Sequence, residues 1–160
     1  MKETTLQTKL LVYDGEHELP EMERELLSCA THALKHAYAP YSNFKVGAAI
    51  LLDNGEIVTG SNQENAAYSM CLCAERVALS VAAAEYPGQV VKKIAVTVRN
   101  EKRVTKRPVS PCGACRQSLA EVEYRQGDPI DIIMRGQEGV VYVVRSAEGL
   151  LPLTFDPSFL

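Results

Sequence analysis

The sequence predicts an α/β protein with an α-β-α layering, in which a mixed central sheet of about five strands is flanked by helices. Three observations carry this. Apolar residues recur at helical spacing after Pro20, and a run rich in Ala, Val and Leu follows Cys73. Short β-type runs bounded by turn residues lie between and after these stretches. The resulting order is helix, hairpin, helix, strand, helix, strands, which a helix-covered mixed sheet satisfies.

The elements follow in order. Residues 1–20 read as an arm ahead of a single domain spanning 21–160. The arm is polar except for Leu10, Leu11, Val12 and Tyr13. That patch either packs on the body or a neighbouring subunit, or belongs to a loosely held tail. A helix begins after Pro20, where Met22, Leu26, Leu27, Ala30, Ala33, Leu34 and Ala37 keep the period until Pro40 stops it. Residues 45–52 and 56–60 read as strands joined by the turn Asp53-Asn54-Gly55, a hairpin. A second helix is predicted over 73–85, closed by Pro87-Gly88, and a third strand over 90–98. A charged loop covers 100–107. The third helix starts near Cys112 and ends near Gln126-Gly127, and strands follow at 130–134 and 140–144. The last stretch, GLLPLTFDPSFL, is apolar and broken by Pro152 and Pro157.

The whole chain narrows the function classes. Its 160 residues suit one domain, and 46% hydrophobic with 23% charged residues is an ordinary globular mix. A net charge of -3 speaks against a long phosphate-backbone interface, so no stable nucleic-acid partner is expected. No stretch is apolar for long enough to span a bilayer, and the N-terminus lacks the apolar middle of a signal peptide. A cytoplasmic location is the expectation. There the five cysteines, an odd number and clustered, point to metal binding or catalysis rather than to disulfides.

Cys112 and Cys115 stand three apart in PCGAC at a predicted helix start, a spacing that lets two thiols reach one ion. Right-handed crossovers would bring the start of the second helix to the same sheet edge, placing Cys73 beside them. The third thiolate comes from Cys73 or Cys71. Three protein ligands and a water describe a catalytic zinc site; a fourth thiolate would make the ion structural. Glu75, two residues after Cys73, is placed to take a proton from a metal-activated water. Three thiolates and Zn²⁺ leave one net negative charge, and Glu75 adds another. Helix N-termini and the flanking Arg76 and Arg116 are candidates to offset it. Both arginines also suit an exposed helical position. A redox CxxC is the weakest reading, because the separate Cys73-Ala74-Glu75 segment has no redox role.

Cys73-Ala74-Glu75 followed by Pro111-Cys112-Gly113-Ala114-Cys115 is similar to the zinc deaminase signature, with cysteine at the first ligand position. With PYSNFKVGAAI at 40–50, GSNQENAAY at 60–68, CAERVAL at 73–79 and SPCGACRQSLAE at 110–121, the chain resembles the small three-cysteine cytidine deaminases that act on free nucleosides. The likeness runs from the first helix to LLPLTF. It implies one Zn²⁺ per subunit on Cys73, Cys112 and Cys115, with Glu75 as the catalytic proton shuttle. It implies that Phe44 packs against substrate, Asn62 and Glu64 bond the sugar hydroxyls, and backbone groups at Ala74 and Ser110 hold the base edge. Arg76 would compensate ligand charge. The family resemblance further implies a cytosolic homotetramer in which Phe155 approaches a neighbour's site. The implied reaction is hydrolytic deamination of cytidine and deoxycytidine to uridine and deoxyuridine plus ammonia, in pyrimidine salvage.

From their chemistry alone, the same residues leave alternatives open. Phe44 suits an ordinary core. Asn62 and Glu64 alternate just after a strand, and an amide with a carboxylate suits either a vicinal diol or a solvated loop edge. Gly47 allows close approach of backbone or ligand. Ser61 stands where many relatives carry cysteine, and Cys71 adds a thiol beside the ligand. Lys102, Arg103, Lys106 and Arg107 form either a solvated crossover or a phosphate pocket for a nucleotide. The alternative functions are a deaminase of another nucleoside or nucleotide, and a non-enzymatic zinc-stabilised interaction domain.

Overall fold

The computed structural model describes all 160 residues. In order, the chain forms β1 (Leu11–Tyr13), α1 (Glu21–Ala33), β2 (Phe44–Leu52), β3 (Ile57–Ser61), α2 (Ala74–Glu85), β4 (Val91–Asn100), α3 (Gly113–Gln126), β5 (Asp131–Arg135) and β6 (Val141–Val144). One sheet runs β1-β6-β5-β4-β2-β3. Only β4 and β5 pair in parallel; the other pairs are antiparallel. The sheet thus has six strands, against the five expected. The addition is β1, which pairs Leu11 with Val143 and Tyr13 with Val141. Three residues are too few for a period-two pattern to register.

Alternation along the strands divides the core into two layers. Ala48, Ile50 and Leu52 of β2 join Ile94 and Val96 of β4 under Ala74 and Ala78 of α2 and Leu119 of α3. The intervening Ala49 and Leu51 join Ala95, Ile133 and Val143 against Leu26, Leu27 and Ala30 of α1. One face of the sheet therefore carries α1 and the other carries α2 and α3. The apolar stripe of α1 is narrower than its periodicity suggested. Met22 is exposed, and the helix tightens to a 3-10 turn over Leu34–His36 before Ala37.

Two glycines set how closely the helices approach. A Cβ on Gly47 would lie 2.0 Å from the Ala30 carbonyl, so bare backbone lets α1 settle on β2. A Cβ on Gly60 would lie 2.5 Å from both the Ala74 carbonyl and the Ala78 amide. The first turn of α2 therefore rests directly on β3. The approach at Gly47 is to backbone.

The topology brings two helix starts together. β3 and β4 both run antiparallel to β2, hence parallel to one another, and α2 connects them. α3 connects β4 to its parallel neighbour β5. Both helices begin beyond the carboxyl ends of the strands they follow, on the same face, where open α/β sheets place their ligands. No helix is long and apolar enough to cross a membrane.

Candidate active site

Cys73 is the N-cap residue of α2 and Cys112 that of α3; Cys115 lies in the first turn of α3. Their sulfur atoms all lie within 4.8 Å of one another. Cys73 Sγ is 3.7 Å from Cys112 Sγ, and Cys112 Sγ is 3.4 Å from Cys115 Sγ. Thiolates ~2.3 Å from a tetrahedrally coordinated zinc ion lie roughly 3.8 Å apart, so the donor set fits that ion with little adjustment. Cys115 is buried, Cys73 half-buried and Cys112 exposed, so the cluster opens on one side.

The electrostatics favour ionised sulfur at Cys73. Hydrogen bonding from Cys115 pulls its pKa down to about 6, against burial and the Glu75 charge, with help from Cys112 and Arg76. Cys115 shifts the other way, because it donates to Cys73, is desolvated and faces Glu75. The positive ends of α2 and α3 point at the group as well. Glu75 is buried, and burial raises its carboxyl pKa, opposed by its own backbone amide and by the neighbouring Cys115 thiol.

Cys71 does not join the cluster. Its sulfur accepts from the Asn65 amide at 3.2 Å and donates to the Asn65 carbonyl at 3.6 Å. It lines a cavity of about 240 Å³ with Tyr41, Ser42, Glu64 and Tyr68. Within it the Glu64 carboxylate accepts from the Tyr41 amide at 2.9 Å, the Ser42 amide at 3.3 Å and the Ser42 hydroxyl. Desolvation acts to raise the Glu64 pKa, but these hydrogen bonds outweigh it and hold the carboxyl below its usual range. The rings of Tyr41 and Tyr68 meet edge to face, 6.4 Å apart.

Main-chain bonds stitch this cavity to the cysteine cluster. Gln63 and Leu72 exchange two hydrogen bonds of 2.9 Å, and Glu64 donates to the Tyr38 carbonyl at 2.8 Å. Leu72 immediately precedes Cys73. The bond pair closes the loop carrying Glu64 back onto the ligand segment.

The other expected residues are spread around these two centres. Asn62 Oδ1 accepts from the Val46 amide at 2.8 Å, and its Nδ2 donates to the Phe44 carbonyl at 3.0 Å. One Nδ2 hydrogen and one lone pair remain for a ligand. Phe44 opens β2 half-buried, after Asn43 turns the chain in the left-handed region with φ 57°. Ala74 is fully buried in the first turn of α2. Ser110 is exposed, ahead of the cysteine helix. Phe155 is exposed and stacks on Phe159 at 5.6 Å, in a segment held where Gln117 Nε2 donates to its carbonyl at 2.7 Å. Arg76 adds positive potential at Cys73, whereas Arg116 donates to Pro111, Ser110 and Leu150 rather than to sulfur.

Sequence reasoning missed Tyr41, Ser42 and Tyr68 as cavity walls. The first two lie inside the quoted PYSNF stretch, and Tyr68 ends the quoted GSNQENAAY stretch, so a signal was present but unassigned.

Comparison with known proteins places these features in a wider set. Residues 20–126 match the family described as the cytidine and deoxycytidylate deaminase zinc-binding region. A cytidine deaminase of Halalkalibacterium halodurans is 49% identical over 102 residues, covering 63% of this chain and 73% of that protein. The crystal structure of a cytidine deaminase from Burkholderia pseudomallei superposes with a TM-score of 0.72 at 40% identity, over 86% of this chain and 100% of the other. That of the Mycobacterium tuberculosis cytidine deaminase gives 0.65 at 34% identity, over 84% and 97%.

Proposed function

The chain belongs to the cytidine and deoxycytidylate deaminase family, and on that footing we propose that it hydrolyses cytidine and deoxycytidine to uridine and deoxyuridine with release of ammonia. The observation that carries this is the convergence of three thiols, from two helix starts, beside the buried Glu75. Zinc bound by Cys73, Cys112 and Cys115 would supply a Lewis acid that makes a water nucleophilic near neutral pH.

The chain's own groups do the remaining work. Glu75 accepts a proton from the attacking water and donates it to N3 of the pyrimidine as C4 is attacked; it then takes the remaining proton of the new C4 hydroxyl and delivers it to the departing amino group, leaving the C4 carbonyl. Its burial keeps bulk water from intercepting those protons. Backbone groups at Ala74 and Ser110 hold the base edge, Phe44 packs against the nucleoside, and Arg76 offsets ligand charge. Glu64, with Asn62, receives the sugar hydroxyls. Its carboxylate is already fixed by three donors from Tyr41 and Ser42, so little ordering is needed on binding.

The ionised Glu64 supports a free nucleoside over a nucleotide, because it would repel a nearby phosphate. A purely structural zinc domain loses support from the position of Cys71, whose sulfur bonds Asn65 instead of completing a fourth corner. We further read the chain as a deaminase domain over 21–160 with an N-terminal arm. It would act in the cytoplasm in pyrimidine salvage, as a homotetramer with Phe155 near a neighbour's site. The exposed Tyr68, Met70, Leu72, Phe155 and Phe159 support burial between subunits.

The test is to add cytidine, deoxycytidine, deoxycytidine monophosphate or adenosine to the zinc-loaded protein and follow ultraviolet absorbance. Cytidine and deoxycytidine should be consumed and the other two spared. A protein with one zinc per chain that leaves cytidine intact would overturn the reading.

A further inference from the structure

Three nitrogens of the Arg116 guanidinium donate to three acceptors on two separate pieces of chain. Nε donates to the Pro111 carbonyl at 2.8 Å, Nη1 to the Leu150 carbonyl at 3.1 Å and Nη2 to the Ser110 hydroxyl at 3.0 Å. The segment it grips is packed at Pro108 and Pro111, which are buried, but has no main-chain anchor of its own. Residues 108–111 make no main-chain to main-chain hydrogen bond. Beside them lies a cavity of about 460 Å³, lined by Thr8, Arg107, Ser110, Arg116, Tyr142 and Leu150, so the exposed Ser110 gains little from packing on that side. Leu150 is better anchored, because its amide and that of Leu151 both donate to the Ala147 carbonyl. Arg116 thus ties a loop without main-chain hydrogen bonds to a turn that has them.

We propose that Arg116 is a positioning residue. Acting through Ser110 and Pro111, its guanidinium fixes the loop that meets the base edge and so sets how tightly the pyrimidine is held. The proposal rests on the reading that Ser110 faces the base. It assigns Arg116 a task distinct from neutralising the thiolates. A lysine would carry the same charge but cannot span three acceptors, because its donors radiate from one atom.

The experiment compares zinc-loaded wild type, Arg116→Lys, Ser110→Ala and the double variant for uridine binding by calorimetry, for kcat and KM, and for amide exchange at Val109, Ser110 and Cys112. Arg116→Lys should keep one zinc per chain, weaken uridine binding about tenfold and raise KM in parallel, with kcat nearly unchanged. The double variant should bind no more weakly than the weaker single one, because both changes remove one contact to the base. Arg116→Gln, shorter and neutral, should show the same non-additivity. A lysine variant that binds like wild type, independent effects of the two substitutions, or a fall in kcat at unchanged KM would each overturn the proposal. Faster exchange in Arg116→Lys supports the brace and unchanged exchange refutes it, whether or not cytidine is the substrate. Deamination by wild type tests the underlying reading separately.

Discussion

At the scale of single residues, the site separates two neighbouring thiols by what they touch. Cys73 and Cys71 are two positions apart, yet one sulfur meets Cys112 and the other meets Asn65. Cys71→Ser should therefore retain one zinc per chain by atomic absorption, since a hydroxyl can also bridge the Asn65 amide and carbonyl. A substoichiometric metal content would make Cys71 a ligand. Glu75 offers the complementary test. Glu75→Gln keeps the shape but cannot cycle a proton, so zinc should stay while kcat falls by at least about 100-fold. An active Glu75→Gln protein would remove the proton-shuttle role. The choice of Cys73 over Cys71 came from the resemblance, while the thiol cluster was legible in the sequence because metal chemistry demands particular side chains at particular spacings. The grip of Arg116 was not, because two of its three acceptors are backbone carbonyls, which every residue supplies and no pattern marks.

At the scale of elements, periodicity located the helices and the central strands, since their apolar faces are buried in two clusters with the expected alternation. Pressing α2 onto β3 is a tertiary demand that sequence pattern expresses only as a glycine. Gly60→Ala places a methyl group 2.5 Å from backbone of α2, which has no side chain to swing aside. It should cost about 3 kcal/mol of stability in denaturant melts. It should also lower zinc affinity, because α2 carries Cys73 at its cap; unchanged zinc affinity would mean that the helix start is not set by this contact. A second inter-element tie gives a pH signature. Lys93 of β4 donates to Glu23 of α1 at 2.7 Å and to Asp131 of β5 at 2.9 Å. Burial acts to lower the Lys93 pKa, but those two carboxylates outweigh it and the net shift is upward from 10.5. A raised folded-state value means that the contribution is fully present below the unfolded lysine pKa and is lost as pH rises through the folded one. Lys93→Met should therefore be less stable near neutrality, with a shallower loss of melting temperature above pH 10.5. Parallel alkaline slopes for the two proteins would contradict the assignment.

At the scale of the whole molecule, the family match begins at residue 20, so β1 lies outside it. That strand nevertheless closes one edge of the sheet. It covers the backbone of β6 from Val141 to Val143, and Leu11 and Tyr13 pack against the α1 side of the core. Glu16 continues the attachment through an ion pair with Arg135, and Leu19 is buried beside α1. Farther back, the Thr8 hydroxyl donates to the Gly149 carbonyl at 2.5 Å, next to the turn that holds Arg116. An uncovered β6 would present free amides and carbonyls along an apolar strand, a template for pairing with another chain. Deleting residues 1–13 should therefore lower the melting temperature and produce concentration-dependent association by light scattering. The same deletion with Tyr142→Lys, which sets a charge on the half-buried face of the uncovered strand, should scatter less while melting no higher. If the truncated protein melts like the full chain and stays monodisperse in the same oligomeric state, β1 is dispensable to the sheet. The edge would then be protected by the body of the molecule.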